Sequence, residues 1–113
     1  MGNKEEIENV ERLEMMEEKC GVSIDGVYAV FWEYDDGYDE RYLCITGEIQ
    51  AVSGTTIDKN IDVVFTAYNA EGKVIATGGN CFDADDFFCL SPFEFQINVI
   101  EKPAKIKIYP KIS

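Results

Sequence analysis

The chain reads as an antiparallel β-sandwich of about six or seven strands preceded by one helix. Three observations predict this. First, Ile61, Val63, Phe65 and Ala67 alternate with Asp62, Val64, Thr66 and Tyr68, the period of a strand with one buried face. Second, similar short runs recur from Val27 to Tyr109, separated by turn residues at intervals of about 8–12 residues. Third, seven Phe, six Tyr and one Trp suit a pleated, half-buried surface. The chain has 113 residues, 46% of them hydrophobic, enough for a single domain with one core.

The elements follow in order. Residues 3–20 read as a helix. Asn3 is a natural N-cap with Glu6 three positions on, as in a capping box, and Gly21 is a natural stop. Glu, Met, Leu and Lys dominate the interior and favour helix. Ile7, Val10, Leu13 and Met16 step by three, so the apolar stripe drifts round the axis. The division is therefore residues 1–21 as a helix, either packed on the sheet or a leader, and residues 22–113 as the sandwich. Val27–Tyr34 is a strand apolar on both faces, one for the core and one available to that helix. Asp35–Glu40 turns the chain at Gly37. In the strand Arg41–Gln50, Leu43, Ile45 and Ile49 point inward, and Gly47 marks a bulge or a close approach. A loop runs from Ser53 to Asn60. The strand at 61–68 and a strand at 73–78 flank the turn Asn69-Ala70-Glu71-Gly72. Gly78-Gly79-Asn80 turns again, a short strand lies near Phe87–Leu90, and Phe93–Val99 alternates. Ala104–Tyr109 closes the series after Pro103; Lys105, Lys107 and Pro110 read as devices that protect an edge strand.

Charge and composition exclude several functions. The net charge is −12, which disfavours nucleic acid and anionic membrane surfaces, both of which need clustered Lys and Arg. The last thirteen residues carry net +3, which either serves solubility or sets a basic strand against an acidic neighbour or partner. There is no histidine, so His-based triads, the common zinc ligand sets and the usual neutral-pH proton shuttle are absent. No apolar run approaches the roughly 20 residues of a membrane span. Residues 2–20 are charged and contain no apolar signal-peptide core. Neither a phosphate-binding glycine loop nor a nucleophile motif is present. These exclusions point to a non-catalytic binding or interaction module whose partner is an unknown protein or surface ligand.

Residues 46–99 also carry a recognisable series: Thr46-Gly47-Glu48-Ile49, then Phe65-Thr66-Ala67-Tyr68-Asn69, then Gly72-Lys73-Val74-Ile75, then Pro92-Phe93 and Phe95. This series resembles the FxLYD-type domain of bacterial and archaeal proteins, with Ala67 and Asn69 where Leu and Asp are usual. The resemblance covers about half the chain. It implies an immunoglobulin-like sandwich and an envelope or secreted setting, and it brings no catalytic residues.

Three constellations are candidate sites. Asp83, Asp85 and Asp86 lie in one acidic turn, where alternate carboxylates can converge on a hard cation such as calcium; the other reading is a solvated turn. Asp35, Asp36, Asp39 and Glu40 form a second acidic turn, which hairpin chemistry alone explains. Cys81 and Cys89 flank the first turn and form a disulfide if the segment is hairpin-like and the compartment oxidising; otherwise Cys20, Cys44, Cys81 and Cys89 are buried thiols. Finally, Tyr28, Trp32 and Tyr34 share one strand face, with Tyr38 beyond, and either bind a sugar or peptide or lie under the helix.

Overall fold

A computed structural model describes residues 2–34, 40–52 and 54–113. The fold is mainly β, with two four-stranded sheets. The strands are β1 (Gly2–Glu6), β2 (Val10–Arg12), β3 (Val22–Tyr34), β4 (Arg41–Ala51), β5 (Ile61–Tyr68), β6 (Val74–Phe82), β7 (Leu90–Asn98) and β8 (Lys105–Ile112), with one helix, α1 (Glu14–Cys20), between β2 and β3. Sheet A has the order β1-β3-β4-β7 and sheet B the order β2-β8-β5-β6. All pairings are antiparallel except β2 with β8.

The core lies between the sheets, as strand alternation requires. Leu43, Ile45 and Ile49 of β4 face Val63, Phe65 and Ala67 of β5, with Ile106 and Ile108 of β8 beside them, all essentially buried. The β5–β6 hairpin matches its sequence signature. Asn69 Oδ1 accepts from the Glu71 and Lys73 amides at 3.0 and 2.9 Å, and Gly72 takes φ 80°, which its missing Cβ permits. Gly47 marks a close approach: a Cβ there would stand 2.7 Å from Phe93 Cζ, its cross-strand neighbour.

The N-terminal expectation is corrected. Residues 3–20 are not one helix; the helix covers seven residues, and β1 and β2 occupy most of the rest. Intrinsic helix propensity is worth only tenths of a kcal/mol per residue, so tertiary pairing overrides it. β1 pairs with β3 from Gly2↔Tyr34 to Glu6↔Val30. Ile7 then enters the core, its amide donating to Ala29 O at 2.8 Å, and Val10 pairs with Ile106. The apolar steps at 7 and 10 are thus points where the chain dips into the core. Gly21 does end the helix, at φ 71°.

A latch holds α1 to sheet A. Glu17 is buried, and its Oε1 accepts from the Ile24 amide at 3.1 Å. Arg12 reaches the Ile24 carbonyl at 2.6 Å and Asp25 at 3.2 Å, with its Nε 3.8 Å from Glu17 Oε2. The Ile24 amide and Glu17 Oε1 thus satisfy each other, whereas the buried Glu17 Oε2 has no hydrogen-bond donor among the described residues and is offset only by the Arg12 charge.

Three further expectations change. Gly78-Gly79-Asn80 does not turn the chain but lies within β6, where the three residues pair with Phe65, Val64 and Val63. β8 is not an edge strand: it sits between β2 and β5. No separate strand forms near Phe87–Leu90, because Asp83–Asp86 turns back on itself, with the Asp86 and Phe87 amides both donating to Asp83 O at 3.1 Å.

Candidate functional site: the aromatic outer face of sheet A

A β-bulge sets which side chains of β3 face out. Register shifts between Asp25↔Glu48 and Tyr28↔Thr46, where Gly26 takes φ 63°. Before the bulge, even-numbered Val22 and Ile24 point into the core; after it, odd-numbered Ala29 and Phe31 do. Tyr28, Trp32 and Tyr34 are therefore turned outward. No helix covers them, because α1 packs near the other end of β3 and against β8. Tyr28 is 43% exposed and Tyr34 37%, and Trp32 is half-buried.

Cross-strand register completes the face. Trp32 stands opposite Tyr42 of β4 and opposite Lys4 of β1. The Trp32 and Tyr34 rings are nearly parallel, 9° apart, with centroids 6.3 Å apart, as neighbours two residues apart on a strand should be. Tyr42 meets Tyr34 edge-on at 5.8 Å. The Lys4 ammonium lies 5.3 Å from the Trp32 ring centre. The Tyr42 hydroxyl donates to Glu40 Oε2 at 2.9 Å. Trp32, Tyr34, Glu40, Tyr42, Cys44 and Gln96 line one shallow depression of about 400 Å³. Tyr28 lies further along the strand and borders a second depression with Glu6, Glu8 and Arg12. The structure thus joins Trp32 to Tyr34 and sets Tyr28 apart.

Sequence reasoning missed Lys4, Tyr42 and Gln96, and read Glu40 only as part of the second acidic turn, not as a rim of this face. Tyr42 carried a signal, since it alternates with inward Leu43, but its neighbour across the sheet depends on hairpin register. Asp35, Asp36, Tyr38 and Asp39 lie outside the described residues.

The other candidates disperse. Asp83, Asp85 and Asp86 stand in the exposed turn, and among the described residues no three His, Cys, Asp or Glu side chains converge on a common point. The expected Cys81–Cys89 bridge is not formed; all four cysteines are free thiols. The segment between the two is not a hairpin excursion. It crosses from sheet B to sheet A, so Cys81 pairs with Asp62 on β5, whereas the Cys89 backbone bonds Thr55 and Ala51. Cys81 Sγ instead lies 3.9 Å from Ser113 Oγ. A hydrogen bond to Asp62, aided by partial desolvation and the Asp62 and Asp83 charges, pushes the Cys81 thiol up. Burial, then Glu94, does the same for Cys44, so both resist ionisation to the nucleophilic thiolate.

No protein-family model, curated protein or solved structure matches this chain. No helix among the described residues is long and apolar enough to cross a membrane.

Proposed function

We propose that this protein is a non-catalytic binding module that docks a sugar or peptide chain against the outer face of sheet A. The observation that carries the reading is the group of Trp32, Tyr34 and Tyr42 rings gathered on the outer face of sheet A, with Tyr34 exposed and Glu40 and Gln96 at the rim. Flat rings supply apolar contact at low entropic cost, and the adjacent carboxylate and amide supply directional hydrogen bonds. Leaving such rings on a solvent face adds little to folding, so a ligand is the better account of them.

An immunoglobulin-like assignment, and with it an extracellular or envelope setting, rests on the resemblance to the FxLYD-type domain. The chain path supports it: β4 leaves sheet A for the β5–β6 hairpin in sheet B, and β7 returns beside β4. The Phe65–Asn69 segment runs along β5 into its turn, and Phe93 and Phe95 lie on β7 facing the core.

Trp32 is the chain's single tryptophan, so its emission reports on the site directly. Titration with soluble oligosaccharides and with unstructured peptides should change that emission for one of the two classes. Tyr34→Ala should weaken the interaction with the melting temperature nearly unchanged. Binding that leaves Trp32 emission unaltered and survives Tyr34→Ala would place the ligand elsewhere and defeat the reading.

A further inference from the structure

The two sheets expose four edges, and three carry devices that discourage strand addition. β1 is five residues long and contains Lys4, Glu5 and Glu6. β2 has only three residues. β7 carries Pro92 and Glu94. The fourth edge, β6, has none of these. Its sequence Val-Ile-Ala-Thr-Gly-Gly-Asn-Cys-Phe runs nine residues without a charge or a proline, in a chain that is 28% charged. Exposed strand edges are templates for pairing, and proteins ordinarily blunt them.

The surroundings of β6 give that edge the form of a binding groove. Beside its middle a cleft of about 380 Å³ opens between β6 and β7, reaching Phe65 and Phe95 next to Gly78. Gly78 keeps the cleft open, since a Cβ there would stand 2.7 Å from the Phe65 ring. At its C-terminal end a depression of about 300 Å³ is bordered by Asp83, Asp86, Phe88 and Leu90. Phe88 is 69% exposed and Leu90 45%.

We propose that β6 is a strand-addition site for an extended segment of a basic partner protein. The partner strand lies antiparallel to β6, and its backbone takes up the unpaired amides and carbonyls of the edge. An apolar side chain enters the cleft beside Gly78. A Lys or Arg at the segment's N-terminal end meets Asp83 and Asp86, its aliphatic stem covering Phe88 and Leu90. Charge selects this occupant over a second copy of the chain: two molecules of net charge −12 repel, whereas a basic segment is attracted to the acidic end of the strand. The site is separate from the aromatic face of sheet A and does not depend on it.

The test uses the full chain and a capped synthetic peptide of paired arginines followed by alternating valine and threonine. Backbone amide exchange, read by NMR, should slow within Val74–Phe82 when the peptide is added, while Trp32 emission stays unchanged. Methylating alternate peptide nitrogens removes the ladder donors without altering charge and should weaken binding about tenfold or more. D83N and D86N should weaken it several-fold, an effect that added salt removes. Unchanged exchange in β6, or binding indifferent to N-methylation, would overturn the proposal. So would concentration-dependent protection of β6 without peptide, because a second copy would then be the occupant.

Discussion

The outer faces of the two sheets are built from similar residues and differ in how those residues are partnered. On sheet B, the Lys105 ammonium lies 2.8 Å from Glu11, and the Lys107 ammonium sits 5.5 Å from the centre of the Tyr68 ring. Both of these cations are matched by a side chain on an adjacent strand of the same sheet. On sheet A, the Tyr34 ring meets both Trp32 and Tyr42, and Lys4 of the edge strand β1 stands over Trp32 at 5.3 Å. A face whose groups are paired internally has little to offer a ligand. On sheet A the cation sits on one ring only, while the stacked Tyr34 beside it stays exposed, and such a ring offers apolar area at a small reorganisation cost. The difference teaches that aromatic content alone does not mark a site; what matters is whether the fold has already supplied the rings with a cover.

The inner side of sheet B sets the upper end of the scale against which that contrast is measured. Phe65 is 1% exposed, lies over Gly78 and meets Phe95 at 5.2 Å. Phe65→Ala should therefore cost about 3–5 kcal/mol in denaturant unfolding. A loss under roughly 1 kcal/mol would mean the sheets are not joined through this ring. The joint between sheets through α1 comes next. Glu17→Ala leaves the buried Ile24 amide without its acceptor and should cost about 1–3 kcal/mol. If Glu17→Gln, which keeps an acceptor oxygen, is as damaging as Glu17→Ala, the ion pair with Arg12 matters more than the hydrogen bond.

Trp32→Ala is the sharpest test of the comparison itself. A half-buried ring on an open face should contribute about 1 kcal/mol or less to stability, yet its removal should abolish ligand-dependent shifts of Tyr34 and Tyr42 resonances. A loss comparable to that of Phe65→Ala would show that Trp32 is a structural residue and that the two outer faces do not differ in kind.

Much of this was legible in the sequence where local chemistry decides the outcome. The 61–68 strand, its Asn69–Gly72 turn and the inward set Leu43, Ile45 and Ile49 rest on alternation and turn residues, and the structure places them accordingly. The N-terminal segment was misread because its glutamates favour helix locally, while the decisive terms are Ile7 entering the core and β1 pairing with β3. The candidate site was half legible. Tyr28, Trp32 and Tyr34 share a parity that any strand would reveal. That they face outward depends on the Gly26 bulge, and that Tyr42 and Lys4 join Trp32 depends on register across strands. Register is a long-range property, and no residue spacing within one strand encodes it.

The smallest expected effect falls on the partnered face of sheet B and carries a sign that can be worked out. Lys105, by its hydrogen bond and then its charge, holds the Glu11 carboxyl below the usual carboxylate range. A depressed pKa in the folded state means the folded protein favours the ionised carboxyl. The pair's contribution is therefore present above the unfolded carboxylate range and is lost as pH falls through the lower folded value. Glu11 is exposed and screened by solvent, so the effect is small. Glu11→Gln should lower the melting temperature slightly at pH 7, and variant and parent should converge in acid, as pH falls below the lowered folded value and the parent carboxyl also becomes neutral. High salt at pH 7 should shrink the difference as well. A difference that persists in acid would mean that Glu11 acts through the packing of β2 on β8 and not through the charge of Lys105, and the partnering of sheet B's outer face would then rest on Lys107 and Tyr68 alone.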